Sequence, residues 1–426
     1  MKPEYDVVVI GAGPAGSTVA ILVAQAGYDV LLVDRETFPR YHIGESLMPE
    51  TYWPLKRLGV LDRMKESSFV KKLSVQFVSH TGKESSPFFF PKHDAHESSQ
   101  TWQVERAAFD QMLFERAAEC GVEARDGTRV TDVLFDGDRA VGVRLRRGEE
   151  PAREIRAQVV VDATGLSAML ANRLGLRQDD PHLRKSAVWT YFRGAVRDEG
   201  PHGGGTVILH TEGKQSWFWF IPLQDDVASI GVVGDQTYLL KGRGRPEEIF
   251  EAEVGKCPAM QRRLASAERV DRYYAAKEFS YATERQAGDG WVLVGDAIGF
   301  IDPIYSSGVF FALKSGELAA EAIIEGLASG DTSARQLGRW VDQFFAGTRW
   351  IRQLVDAYYQ DDFSFGRFLR SHPEHQGSLT DLLIGRIFHE GAGAIFDAMQ
   401  PFLAMASSTS SGERCSEEGM ADKPTS

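Results

Sequence analysis

Gly11, Gly13 and Gly16 form a GxGxxG turn directly after the apolar run Asp6–Ile10 and before the alanine- and valine-rich stretch 14–26. The first glycine allows a tight turn. The second lets backbone approach a pyrophosphate, and the third lets helix pack on strand. The N-terminus of the following helix, with Pro14 and Ala15, offers free N–H groups and a positive dipole end to phosphate. Asp34, with Arg35 beside it, lies about 20 residues further on, where a carboxylate accepts a ribose hydroxyl. This chemistry is that of a dinucleotide site, and the fingerprint itself does not separate FAD from NAD.

A later segment separates them. The run Trp291–Asp296 (WVLVGD) ends in Gly295-Asp296. A chain that opens with GxGxxG and carries such a strand late resembles the FAD-dependent hydroxylase-like and geranylgeranyl-reductase-like superfamily. The resemblance implies that Asp296 binds the ribityl chain of FAD. It also assigns cofactor contacts to Glu45 and Ser46 in Gly44-Glu45-Ser46, to Gln103 and Arg106 in QVERAAFDQML, and to Pro303 and Gly308. Asp162-Ala163-Thr164-Gly165 fits the middle segment of the same family.

Three features narrow the resemblance to the flavin-dependent halogenases acting on phenols, pyrroles and polyketide-type aromatics. Trp217-Phe218-Trp219-Phe220-Ile221-Pro222 reads WxWxIP, and residues at i and i+2 share one face of a strand. Taken alone, the run also suits an aromatic core strand. In the halogenases this wall keeps the organic acceptor from the flavin. Pro303-Ile304-Tyr305-Ser306-Ser307-Gly308 reads PxxSxG ahead of a helix, a place where successive N–H groups make an anion site. The resemblance makes Ser307 and Gly308 the halide donors and places Ser306 in the catalytic motif. Lys72 matches the family's lysine between wall and acceptor, with Lys71 as the alternative. A desolvated lysine there can bind hypohalous acid. Two positions depart from the family. Tyr305 stands where tryptophan halogenases carry glutamate, which favours an electron-rich acceptor other than indole. Ser74 replaces a glycine after the lysine.

The function implied is halogenation by FADH2, O2 and chloride or bromide. With no second dinucleotide fingerprint, FADH2 would come from a separate flavin reductase. The acceptor is a small aromatic molecule, free or tethered to a carrier protein. The rival readings are an FAD-dependent monooxygenase or reductase, which would show no halide dependence, and a non-catalytic flavoprotein.

Positioning these groups takes an α/β fold. The segments 6–10, 14–26 and 29–34 form a β-α-β unit of about 30 residues, which implies a parallel sheet. Residues 129–135 and 140–146 suit a hairpin, 158–163 and 291–296 buried strands, 103–120 a helix, and 75–101 strands including Phe88, Phe89 and Phe90. Residues 187–237 alternate strands and turns, as an antiparallel sheet does. The expected organisation is a GxGxxG FAD-binding Rossmann-like domain (1–75, 102–186 and 286–330) interleaved with an antiparallel-sheet substrate domain (76–101 and 187–285). A C-terminal helical region (331–406) and a disordered tail (407–426) follow. The C-terminal aromatics Trp340, Phe344, Phe345, Trp350, Tyr358, Tyr359, Phe363, Phe365 and Phe368 suit a helical core better than a pocket lining.

The composition fits a large globular enzyme: 426 residues, 43% hydrophobic and 25% charged. With 48 basic and 60 acidic residues the net charge is −12, which argues against nucleic acid and anionic membrane as partners. Cys120, Cys257 and Cys415 are far apart and lack CxxC spacing, so neither a disulfide framework nor a zinc site is expected. The N-terminus carries Glu4 and Asp6 and no basic region before its apolar run. A cytoplasmic location is expected.

Overall fold

In the computed structural model, which describes residues 1–277, 280–360 and 363–403, the parallel sheet runs Trp291–Leu293, Arg153–Asp162, Glu4–Ile10, Val30–Val33, Glu123–Arg125. All four pairings between these neighbours are parallel. The central strands are buried on both faces, which is why VVVI, VLLV and QVVVD read as continuous apolar runs. The helix Pro14–Gln25 packs between this sheet and the long helix Gly308–Ser329. Gly316 makes that crossing possible: a Cβ there would lie 2.8 Å from the Ala15 carbonyl oxygen. The hairpin Thr128–Asp136 and Arg139–Arg147 joins the sheet antiparallel to Arg153–Asp162.

The second large sheet is built on Lys185–Arg193, Val227–Asp235, Ser216–Pro222 and Thr206–His210, neighbours in antiparallel pairing. It is not antiparallel throughout. Thr206–Leu209 pairs in parallel with Val75–Val78, which brings a strand from early in the chain to this edge. Its two faces have different partners. Val188, Val207, Phe218, Phe220, Ile230 and Val232 form one core with the helices Pro246–Val254 and Pro258–Leu264. Trp189, Ile208, Trp217, Trp219 and Ile221 face the other way, into a cluster with the C-terminal helices. The helix Pro246–Val254 was not anticipated, although Pro246 followed by Glu247 and Glu248 is a helix-start signal.

Two further expectations change. The late strand stops at Leu293, and Gly295-Asp296 lies in a 3-10 turn, so the aspartate leaves the sheet before the cavity begins. Phe88 and Phe89 are a strand but Phe90 opens a short helix, Phe90–His93, with Pro91 in its first turn. The C-terminal region is helical, with Val341–Tyr358, Phe365–Ser371, Gln376–Ile384 and residues 394–403. The tail expected at 407–426, and Cys415 with it, lies outside the described residues.

Candidate active site

A cavity of about 890 Å³ runs from the glycine turn to the tryptophan strand. That size suits a dinucleotide cofactor. At one end it is lined by Gly11, Gly13, Pro14, Ala15, Asp34 and Arg35. Two glycines of the turn admit no side chain. A Cβ on Gly11 would lie 2.3 Å from the Ala163 oxygen, and one on Gly16 would lie 1.9 Å from the Gly11 oxygen. Gly16 therefore packs helix against strand and does not line the cavity. Asp34 accepts Ala12 N–H at 2.9 Å and Glu36 N–H at 3.0 Å, so it holds the turn shut and keeps lone pairs for a ribose. Arg35 lines the cavity with a largely exposed side chain, 3.4 Å from Glu36.

Arg40 is a residue the sequence did not single out. Its guanidinium lies beside Gly13, 3.6 Å from where a Cβ would stand, and donates to Asp110 at 2.9 Å. A cation at the glycine turn suits a pyrophosphate. Arg106 opens its helix and grips Asp110 with two bonds, at 2.8 and 2.9 Å, while donating to the Ile43 carbonyl at 2.8 Å. Asp110 is held below the usual carboxylate range by these two guanidinium groups, against the opposing effect of its burial. No motif marks Arg40, because its place depends on the path of the loop 36–45.

Ala163, Thr164 and Gly165 line the middle of the cavity, while the Asp162 carboxylate turns inward to accept Thr164 and Leu170 N–H groups at 2.9 and 2.7 Å. Asp296 also lines it. Burial raises its pKa to about 6, with Arg106 pulling the other way, and among the described residues its carboxylate has no hydrogen-bond donor. A buried carboxylate without a donor suits a ligand hydroxyl. Together with the glycine turn, these residues fit FAD.

Trp217, Trp219 and Trp189 line the opposite end of the cavity, with Trp217 and Trp219 centroids 6.5 Å apart. Gly231 on the neighbouring strand makes room: a Cβ there would come within 2.2 Å of the Trp219 ring. Trp219 Nε1 donates to Ser229 at 3.1 Å and Trp217 Nε1 to Tyr359 at 2.9 Å. Pro303, Ser306 and Gly308 also line the cavity. Ser306 has φ +58° and is followed by Ser307 at −82°, and this alternation of hands makes a concave anion nest. Ser307 caps the long helix and lies behind the cavity wall. Among the described residues, neither its N–H nor that of Gly308 has an acceptor.

Asp302, before this turn, escaped the sequence reading. It accepts Ile304 N–H and Tyr359 O–H, each at 2.9 Å, and burial pushes its pKa up to about 6. Glu45 lines the cavity, accepts Tyr191 O–H at 2.7 Å and is pushed up by burial.

The two lysines differ sharply. Lys71 is exposed. Lys72 is 3% exposed and donates to Ser46 Oγ at 2.8 Å and to the Leu47 carbonyl at 2.9 Å. Desolvation lowers its pKa to about 7. Lys72 does not line the large cavity itself, whereas Ser46 does. Gln103 is also off the wall. It ends a strand instead of joining the helix that follows, and its amide donates to Gly204 and Thr206 at 3.1 and 2.9 Å.

A family model described as the FAD binding domain matches residues 4–333. The 1H-pyrrole-2-carbonyl-[peptidyl-carrier protein] brominase of Pseudoalteromonas luteoviolacea is 34% identical over 90% of this chain and 93% of its own length. The chain belongs to the flavin-dependent halogenases. The corresponding chlorinase of Pseudomonas fluorescens is 30% identical to this halogenase over 95% of the chain and 94% of the relative. The solved flavin-dependent brominase Bmp2 superposes with a TM-score of 0.84 at 33% identity, covering 94% of this chain and 99% of that one. The myxobacterial chondrochloren halogenase CndH gives 0.78 at 31%, covering 92% and 97%. This halogenase thus uses FAD and halide. Among the described residues, no group of three or more His, Cys, Asp or Glu could hold a metal ion, and no helix is long and apolar enough to cross a membrane.

Proposed function

We propose that this halogenase chlorinates or brominates a pyrrole, or a comparably electron-rich small aromatic, carried on a peptidyl-carrier protein, with FADH2 delivered by a separate reductase. The observation that carries the acceptor class is Tyr305. It is buried beside the serine motif, its hydroxyl donates to the Leu354 carbonyl at 3.2 Å, and no carboxylate stands at that position. A ring activated by its own heteroatom has no need of one. Two relatives that match nearly end to end act on pyrrole-2-carbonyl groups held by a carrier protein.

Bound FAD, once reduced, would supply two of the four electrons that O2 takes up, and the halide would supply the other two. The chain's residues do the rest. Gly13, Arg40, Asp34, Arg106 and Asp296 hold the cofactor. The Ser307 and Gly308 N–H groups hold the halide at the nest. Trp217 and Trp219 close the cavity and keep the acceptor from it. Lys72, dry and half-titrated near neutrality, acts on the oxidised halogen from beside Ser46, which lines the cavity.

The test supplies the holoenzyme with a flavin reductase, NADH and bromide, and offers pyrrole-2-carbonyl on a carrier protein, free pyrrole-2-carboxylate and a phenol panel. Bromine isotope patterns on the carrier-bound ring are expected. Bromination of free phenols alone would overturn the carrier assignment, and oxygenated product without halide would overturn the acceptor chemistry as well.

A further inference from the structure

Lys72 reaches the large cavity through the Ser46 hydroxyl, and a second hydroxyl lies beside the first. Its Nζ donates to Ser46 Oγ at 2.8 Å, and Ser46 Oγ lies 2.9 Å from Thr206 Oγ1. Ser46 and Thr206 both line the cavity, and Lys72 does not. Gln103 approaches the same pair from the other side. Its Nε2 donates to the Gly204 carbonyl at 3.1 Å and to Thr206 Oγ1 at 2.9 Å. A carbonyl oxygen only accepts, so this contact fixes which end of the Gln103 amide faces Thr206.

Counting hydrogens then constrains the pair. Each hydroxyl has one hydrogen and two lone pairs. The ammonium and the amide are both donors, so Ser46 and Thr206 each accept one bond from the protein. One hydroxyl donates to the other. One O–H is left over, and among the described residues it has no acceptor. Either donor order between the two hydroxyls is head-to-tail; the charged Lys72 donor is stronger than the Gln103 amide and favours Lys72 to Ser46 to Thr206, which sends that last O–H from Thr206 into the cavity.

We propose that the Ser46–Thr206 hydroxyl pair is the port through which Lys72 delivers a hydrogen bond and a proton into the flavin cavity, with Gln103 as a positioning residue. The proposal rests on the halogenase chemistry above. Its ligand is the oxygen of a hypohalite formed in that cavity. An N–H bond of the Lys72 ammonium breaks as a Ser46 O–H forms. Ser46 passes its own hydrogen to Thr206, and Thr206 passes its own to the hypohalite oxygen. Each hydroxyl ends with one hydrogen, Lys72 ends as neutral amine, and the anion becomes hypohalous acid. Protonation makes the halogen the stronger electrophile. The desolvated amine suits the task because a proton donor works best when it titrates near the operating pH.

Thr206→Val keeps the shape and removes the hydroxyl, while Thr206→Ser restores it. Coupling is read as brominated product per hydrogen peroxide released, between pH 6 and 8, on holoenzyme with flavin content checked by absorbance. The wild type is expected to lose coupling as pH rises through about 7. Thr206→Val should lose about ten-fold or more and lose that inflection, and Thr206→Ser should regain both. Wild-type coupling and inflection in Thr206→Val would overturn the proposal. Nitrogen NMR of Lys72 Nζ, assigned with Lys72→Met, reads the same chain without turnover. In Thr206→Val the lysine should titrate about half a pH unit lower, because Ser46 becomes a weaker acceptor. If the wild type makes no halogenated product, the proposed function fails on its own, and an unmoved Lys72 titration in Thr206→Val still overturns the port.

Discussion

Tyr359 donates its hydroxyl to Asp302 Oδ2 at 2.9 Å while accepting the Trp217 indole N–H at 2.9 Å. One phenol thus joins the C-terminal helix Val341–Tyr358, which it directly follows, to the anion nest and to the tryptophan wall. Lys185 Nζ lies 4.2 Å above its ring.

Tyr359→Phe leaves Asp302 short of a donor and Trp217 short of an acceptor, both buried. The expected loss of unfolding free energy is about 1–3 kcal/mol, measured by denaturant titration of the holoenzyme. Product yield per peroxide should fall further than FAD content. An unchanged midpoint and yield would show that the phenol merely fills space.

Lys72 gives a pH signature in stability. Its pKa falls to about 7 in the fold from 10.5, so between those values the unfolded chain binds more protons and stability rises with pH. The penalty for burying the charge is complete below pH 7 and fades above it. Relative to Lys72→Met, the wild type should gain unfolding free energy from pH 7 to pH 10, as followed by chemical denaturation at each pH.

Asp302 gives the opposite sign. Its pKa rises to about 6 from 3.8, so the native state binds the extra proton between these values, and stability is lost as pH rises from 4 to 6. Asp302→Asn should flatten this slope. Asp296 titrates in the same window, so the comparison is made between the two proteins rather than on the wild type alone.

Gly16→Ala places a Cβ 1.9 Å from the Gly11 oxygen, a backbone atom that cannot step aside without moving the turn. Purified protein should carry much less flavin, by visible absorbance, and unfold earlier by about 1–3 kcal/mol. Full flavin occupancy would contradict the packing described.

Lys72→Ala and Lys71→Ala separate the two lysines. The first should keep FAD and release peroxide while product falls about 100-fold or more. The second should retain product, since its side chain faces solvent. The reverse result would move the role to Lys71.

The parts of this enzyme built from local rules were legible in its sequence. The glycine turn, the buried strands and the helix after Gly308 each follow from a short pattern, and period two put Trp217 and Trp219 on one face. Arg40, Asp302, Tyr359 and Thr206 were not legible. Each owes its place to a partner more than 50 residues away, as in Arg40 with Asp110, Tyr359 with Asp302 and Thr206 with Gln103. The C-terminal aromatics show the same limit. Trp340 and Phe344 are core, as helical spacing suggests, but Tyr359 is tied to the site. Burial of Lys72 was implied only by the family resemblance, because it depends on the strand Thr101–Gln103, which pairs beside it.

The tethering of Trp217 from outside its own sheet matters for anyone redesigning the enzyme's acceptor range. Swapping the C-terminal helices for those of another halogenase exchanges the indole's anchor along with the pocket. A chimera that brings no hydroxyl to the place of Tyr359 gains a new guest chamber at the expense of the partition that makes the chamber useful.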